Sequence, residues 1–364
     1  MSSASQGIPR QHDCTNALTA LRANDVISKG LSCLTAQRVE YIRGSEAMPT
    51  YAAICAALLV ASSTFASPSL AQQIWPQRPV RIIVPLPAGS AVDVASRLFA
   101  ERLSQMWGQG VVVENRQGAD GIVAVNTFLT ARDDHQLLVS FGGVVTLNPI
   151  LNKNLQYDPN ELAAVSVLVD NFLGIAATAQ LNASSMPEVV HLARSAPGKY
   201  TWAATPGQTA VIMPALLKTA GIDLLKVSYS NFSVALQDLT QGRLHLIATS
   251  LPALLPLVQA GSAKLLMVTN GQRSPQVPNA PTAREAGYPE LTFPGSVVLF
   301  ASKDMPLERR DRIAADISAV AHVPEIISRL RALGISVRAG TPADALAELH
   351  DQRARLEAAL KLLE

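Results

Sequence analysis

Residues 79–97 read PVRIIVPLPAGSAVDVASR, and their order sets the architecture expected of the rest of the chain. Val80, Ile82, Ile83 and Val84 form a short apolar run that predicts a buried strand. Pro85, Pro87 and Gly89 break it, and Val94, Leu98 and Phe99 resume at helical spacing. The unit is strand, tight turn, helix. Ser90 followed three residues later by Asp93 reads as an N-cap with an acidic partner in the first turn. The unpaired N–H groups of the new helix are then expected to face the turn, where an anion is stabilised. On these residues alone an ordinary capped connection is the simpler reading, and the remainder of the chain has to decide.

The same alternation continues downstream. Val111 to Val113 predicts a second strand, a turn through Gly118 and Gly121 leads into a helix reaching about Ala131, and Leu137 to Ser140 predicts a third strand. The apolar runs Ala163 to Val169 and Leu173 to Ala177 read as strands crossing to a second domain. Strands and helices then alternate as far as Thr269, Val297 to Ala301 crosses back, and helices are expected over 309–321, 324–333 and 342–363. Strands interleaved with helices predict an α/β fold with largely parallel sheets.

The first 71 residues read as lying outside the working protein. Ala52 to Ala61 is almost wholly apolar, too short to span a bilayer, and is followed by the small-residue pattern Ser69-Leu70-Ala71. This predicts a signal peptide over 48–71, export to the periplasm and a mature start at Gln72. Residues 1–47 form a leader that need not be translated, with Met48 as the start. All three cysteines, Cys14, Cys33 and Cys55, precede the predicted cleavage point, so the mature chain has no disulfide, thiolate nucleophile or cysteine metal site. A net charge of +2 with no basic run argues against nucleic acid. The 48% of hydrophobic residues is enough to bury the cores of two domains.

Arrangements that carry catalysis are missing: no G-x-S-x-G elbow, Walker A loop, G-x-G-x-x-G or H-E-x-x-H. His135, His191, His245, His322 and His350 are scattered, and each reads as a surface or helix residue. Asp133-Asp134-His135, between a helix and a strand, reads as a solvated turn rather than a metal pair. No metal or cofactor is expected, and a binding protein is a better reading than an enzyme.

Four stretches together resemble one family. Trp75 to Asp93, WPQRPVRIIVPLPAGSAVD, is similar to the opening of the Bug or TctC-like extracytoplasmic solute receptors of tripartite tricarboxylate transport systems. Gly108 to Gly121, GQGVVVENRQGADG, resembles the family's next motif. Leu236 to Gly261 and Arg273 to Gly287 resemble its second-domain signatures. The resemblance implies a two-lobed periplasmic-binding-protein fold, type II-like, with two crossing hinge strands. Lobe 1 would comprise 72–172 and 297–364, and lobe 2 would comprise 173–296. It implies a monomeric receptor that holds a small carboxylate through backbone N–H groups and ordered water and delivers it to a membrane permease or a sensor kinase. A degenerate receptor acting through protein contacts alone, or an enzyme on the same scaffold, are the alternatives.

Carried over to this chain, the ligand would lie against Ala88, Gly89, Ser90 and Asp93 of the opening loop, Gly142 and Thr146, and Thr205, Gly207, Gln208, Thr209 and Thr249 of the second lobe. Ala88, Gly89 and Ser90 would supply N–H donors, Asp93 would brace the turn, and Gln208 would read the ligand's far end. The chain departs from the family pattern at several of these places. A double glycine becomes Gly89-Ser90, a threonine becomes Val92, and a Pro-Asp-Gly turn becomes Arg132-Asp133-Asp134. The second-lobe loop lacks its histidine, and a tryptophan near Ser296 is missing. Thr249 replaces an acid able to pair with an ammonium group, which favours a plain carboxylate over an amino acid.

Overall fold

The computed structural model describes residues 75–229 and 231–364. The leader, the signal peptide and the three cysteines lie outside the described residues. In chain order the elements are β1 (Val80–Val84), α1 (Ala91–Trp107), β2 (Val111–Asn115), α2 (Ile122–Ala131), β3 (Gln136–Phe141), two short helices α3 (Gly143–Thr146) and α4 (Asn148–Leu151), and β4 (Leu162–Asn171). There follow β5 (Leu173–Thr178), α5 (Met186–Ser195), β6 (Thr201–Ala204), α6 (Thr209–Ala220), β7 (Leu225–Lys226), α7 (Phe232–Thr240), β8 (Leu246–Ser250), α8 (Leu251–Gln259) and β9 (Ala263–Val268). The chain returns through β10 (Ser296–Ser302) and ends with α9 (Leu307–Ala321), α10 (Pro324–Ala332), β11 (Ile335–Val337) and α11 (Pro342–Lys361).

The strands form two sheets, ordered β11-β4-β10-β3-β1-β2 and β7-β6-β8-β5-β9. The expectation of largely parallel sheets needs correction. β1 runs parallel to β2 and β3, and β6 to β7 and β8, but β10 is antiparallel to β3 and β4, β11 to β4, and β5 to β8 and β9. The reason is topological. β4 leaves the first lobe and β10 re-enters it, so two neighbouring strands carry the chain in opposite directions. The crossings lie side by side, with the Asn171 amide donating to the Gly295 carbonyl at 3.0 Å.

Each sheet is covered on both faces, which is why its strands read as near-continuous apolar runs. Alternation along β1 sends Val80, Ile82 and Val84 to a core with Leu98, Phe99 and Leu103 of α1 and Ile313 and Ile317 of α9. Ile83 points the other way, to Val125 and Phe128 of α2 and to Ala345 and Leu349 of α11. In the second lobe one core joins α5, α6 and Phe293, and the other joins α7 and α8 through Ala235, Leu239 and Leu254. Helix α11 does not stay with one sheet. Its later residues Leu356 and Ala359 belong to the core of the second lobe, because the helix is long enough to run past the hinge.

Asp133-Asp134-His135 is a turn with Asp134 exposed, as expected, but its groups are paired with other parts of the chain rather than simply solvated. Asp133 accepts two hydrogen bonds from Arg78, at 2.6 and 3.1 Å, and lies 3.5 Å from Arg81, while Asp134 pairs with Arg309 at 3.0 Å. His135 is buried. Its Nε2 accepts the Gln77 amide at 3.2 Å, and its Nδ1 faces Asp134 at 2.6 Å. The ligand atoms of the three residues lie within 4.8 Å of one another, but three guanidinium groups already compensate the two carboxylates. The cluster therefore pins the start of the fold to the α2–β3 turn. The Arg78 guanidinium holds the Asp133 carboxyl at about 2, below its ordinary 3.8. A depressed carboxylate stabilises the fold fully above its unfolded pKa of about 4, and that contribution is lost as pH falls towards about 2. Asp133→Asn is thus expected to lower the unfolding midpoint at pH 7 and to flatten its fall between about pH 4 and 2. Chemical denaturation across that range checks this, and parallel curves for the two proteins would contradict it.

Candidate functional site

In open α/β sheets the ligand-facing loops follow the carboxyl ends of parallel strands. Here these are residues 85–90 after β1, 116–121 after β2, 142–147 after β3, 205–208 after β6 and the β8–α8 junction. A shallow depression along α2, lined by Val123, Asn126, Thr127, Thr130 and Ala131, lies on that helix's own surface and offers no charged group.

The opening loop is built around Asp93. This residue is buried, and Oδ2 accepts the Gly89 amide at 2.9 Å and Arg97 Nε at 3.0 Å, while Oδ1 accepts Asn115 Nδ2 at 2.8 Å. Asn115 Nδ2 also donates to the Leu86 carbonyl at 2.8 Å, and Asn115 Oδ1 accepts from Arg97 at 3.0 Å. Burial alone would push the Asp93 carboxyl up, but the hydrogen bonds from Arg97, Asn115 and Gly89 hold it below the ordinary aspartate value. Ser90 caps α1 by accepting the Asp93 amide at 3.3 Å, and its own amide donates to Pro87 at 3.1 Å. This alters the role read for the loop from the sequence. The N–H groups of Gly89 and Ser90 are spent inside the loop, and Ala88 stands exposed beside them. The helix itself leaves the first-turn amides of Ala91 and Val92 without an acceptor.

Gly142 and Thr146 are also engaged. The Gly142 amide donates to the Ser296 carbonyl at 3.2 Å. The buried Thr146 hydroxyl contacts the Gly142 carbonyl at 3.1 Å and Gln352 Oε1 at 2.8 Å. In the second lobe the Thr205 amide donates to Ala248 at 3.1 Å, which ties this loop to the end of β8, where buried Thr249 lies opposite Gly174. Thr209 Oγ1 donates to the Thr205 carbonyl at 2.6 Å and meets Thr205 Oγ1 at 2.8 Å, so both hydroxyls close the turn on itself. Gly207 turns the backbone between Pro206 and Gln208, and its carbonyl accepts the Ala210 amide at 3.0 Å.

Gln208 differs from the others. It stands at the N-cap position of α6 without making a side-chain capping bond, and its Nε2 is buried with no hydrogen-bond partner. Sequence reasoning missed Ser140, at the end of β3, whose buried Oγ is likewise unpartnered and lies 3.7 Å from where a Cβ of Gly121 would stand. It also missed Arg97 and Asn115 as partners of Asp93. The i,i+4 spacing of Asp93 and Arg97 was the available signal for the first, and Asn115 lies inside the Gly108–Gly121 motif.

Residues 95–363 match the model of the tripartite tricarboxylate transporter family receptor, TctC. The chain belongs to this family. Among relatives in sequence, a UPF0065 protein of Bordetella bronchiseptica is 31% identical over 79% of this chain and 86% of its own length. BugT of Bordetella pertussis is 29% identical over 64% and 73%. Among solved structures, Rpa4515 of R. palustris with adipate superposes with a TM-score of 0.71 at 27% identity, covering 79% of this chain and 98% of the other. MatC of Rhodopseudomonas palustris with bound malate gives 0.68 at 25% identity, covering 78% and 99%. The two-lobed fold of this TctC receptor is therefore that of the periplasmic solute-binding proteins, and solute binding is its function at that level.

Proposed function

We propose that this TctC receptor captures a small organic acid in the periplasm, between loops at the carboxyl ends of its two sheets, and passes it to the membrane component of a tripartite tricarboxylate-type transporter or to a sensor. The observation that carries the reading is the buried, unpartnered Nε2 of Gln208. A buried donor without an acceptor costs about 1–3 kcal/mol, and a ligand carboxylate offers oxygen acceptors. The adipate and malate held by two relatives of the same fold are both acids, which supports the class. Thr249 brings no charge to pair with an ammonium group, so the solute is a plain mono- or dicarboxylate rather than an amino acid. No catalytic step is assigned to the site, and the receptor acts as a monomer.

A thermal-shift panel of dicarboxylic, monocarboxylic, aromatic and amino acids tests this. At 100 times its dissociation constant a ligand adds ~2.7 kcal/mol to the folded state, so a cognate acid is expected to raise the melting temperature by several degrees. Gln208→Ala is expected to weaken that acid about tenfold, as the loss of one polar contact worth somewhat over ~1 kcal/mol requires. Stronger stabilisation by aspartate or glutamate than by any simple acid would contradict the assignment of Thr249. Unchanged affinity in Gln208→Ala would contradict the role given to Gln208.

A further inference from the structure

Helix α11 makes apolar contacts along its length but, among the described residues, confines its polar ties to other elements to its first half. It begins with a capping box between Thr341 and Asp344, and Ala345 and Leu349 pack into the first lobe. Glu348 then accepts a hydrogen bond from Ser296 Oγ and pairs with Arg338 at 3.0 Å. One turn later Gln352, 1% exposed, accepts from Thr146 Oγ1 at 2.8 Å through Oε1 and donates to the Pro294 carbonyl at 3.2 Å through Nε2. Beyond Gln352, among the described residues, the side-chain polar bonds of α11 run within the helix itself: Arg353 to Glu357 at 2.9 Å and Arg355 to Asp351 at 2.7 Å. What this half offers the second lobe is apolar, namely Leu356, Ala359 and Leu360, with Leu363 just beyond the helix end.

The glycine at 142 belongs to this arrangement. A Cβ there would stand 2.5 Å from Gln352 Oε1 and 2.8 Å from Leu349 Cδ2, so the missing side chain is what lets Gln352 sit against the β3–α3 turn. Hydrogen bonds are lost over small changes in distance and angle, whereas apolar contact is non-directional. A relative shift of the lobes is therefore resisted at Glu348 and Gln352 and tolerated beyond them. We propose that α11 is a lever carried by the first lobe, and that Gln352 is a positioning residue joining the 142–147 turn to the hinge return at Pro294. The apolar half of the helix is the face across which the lobes shift in a shear-type motion.

Native-state hydrogen exchange of the full chain, without any ligand, tests this independently of the acid-binding reading. Gln352→Leu keeps the volume but removes both bonds. It is expected to speed amide exchange about tenfold at residues 143–147 and 295–297 while leaving α5 and α6 at wild-type rates. Thr146→Val, a milder change in case Gln352→Leu does not fold, is expected to act in the same direction with a smaller effect. Leu356→Ala, in the apolar half, is expected to lower the unfolding midpoint yet leave those two segments unchanged. Wild-type exchange at 143–147 and 295–297 in the folded Gln352→Leu or Thr146→Val protein would overturn the proposal. So would equal acceleration in Leu356→Ala.

Discussion

Gly295→Ala is expected to leave little or no folded protein. Gly295 lies in the returning hinge segment, where its carbonyl accepts the Asn171 amide at 3.0 Å, and a Cβ at this position would overlap the carbonyl oxygen of Asn171. The obstruction is backbone, so no rotamer change relieves it, and the two crossings would have to separate. Separation would cost the 171–295 hydrogen bond and disturb the β4–β10 pairing that begins at the next residue, Ser296. The combined loss is expected to exceed ~4 kcal/mol, the range in which substitutions unfold a marginally stable domain. Gly271→Ala is the control, since its nearest neighbour would be Thr292 Cγ2 at 3.8 Å, an ordinary contact. Soluble yield and urea midpoints of the two variants compare them directly. A Gly295→Ala protein with a wild-type midpoint would show that the crossings are not packed as described.

Asp93→Ala carries the second large effect. It removes the acceptor for the Gly89 amide, Arg97 Nε and Asn115 Nδ2 together, in a residue 1% exposed. Gly89 and Arg97 are exposed and Asn115 is half-buried, so water can replace the lost acceptor, and the cost is that of the hydrogen bonds to a charged group themselves, about 3 kcal/mol. Asp344 makes comparable local bonds to Thr341 in the exposed capping box of α11, where replacement by Ala is expected to cost ~1 kcal/mol. Denaturant unfolding of both variants separates a brace that gathers α1, β2 and the opening loop from a simple cap. Equal losses would reduce Asp93 to a capping residue.

Local chemistry was the legible part of this chain. The β1–turn–α1 unit follows from apolar spacing and the Ser90–Asp93 cap, because both signals lie within a few residues. The direction of β5 and β10 was not legible: strand pairing is decided by where the chain re-enters a sheet, and an apolar run reads the same in either direction. β11, three residues long, is too short for periodicity to mark. The site was legible only as a set of loops. Gly89, Ser90, Thr205 and Thr209 are residue types that offer donors, but whether a donor is free depends on its partner. The partners Asp93, Pro87 and the other threonine satisfy them within the fold. Gln352 was the least visible residue. A glutamine on a charged helix reads as solvent-facing, and its burial follows from a turn more than 200 positions earlier in the chain.

The central claim, that a small carboxylate is held at these loops, is tested most directly by native mass spectrometry of the protein isolated from periplasm. The account predicts a chain beginning at Gln72 that carries a non-covalent adduct with the mass of a single organic acid, present in the wild type and depleted in Gln208→Ala. A bare chain in every preparation, still bare after incubation with the acid panel, would contradict it.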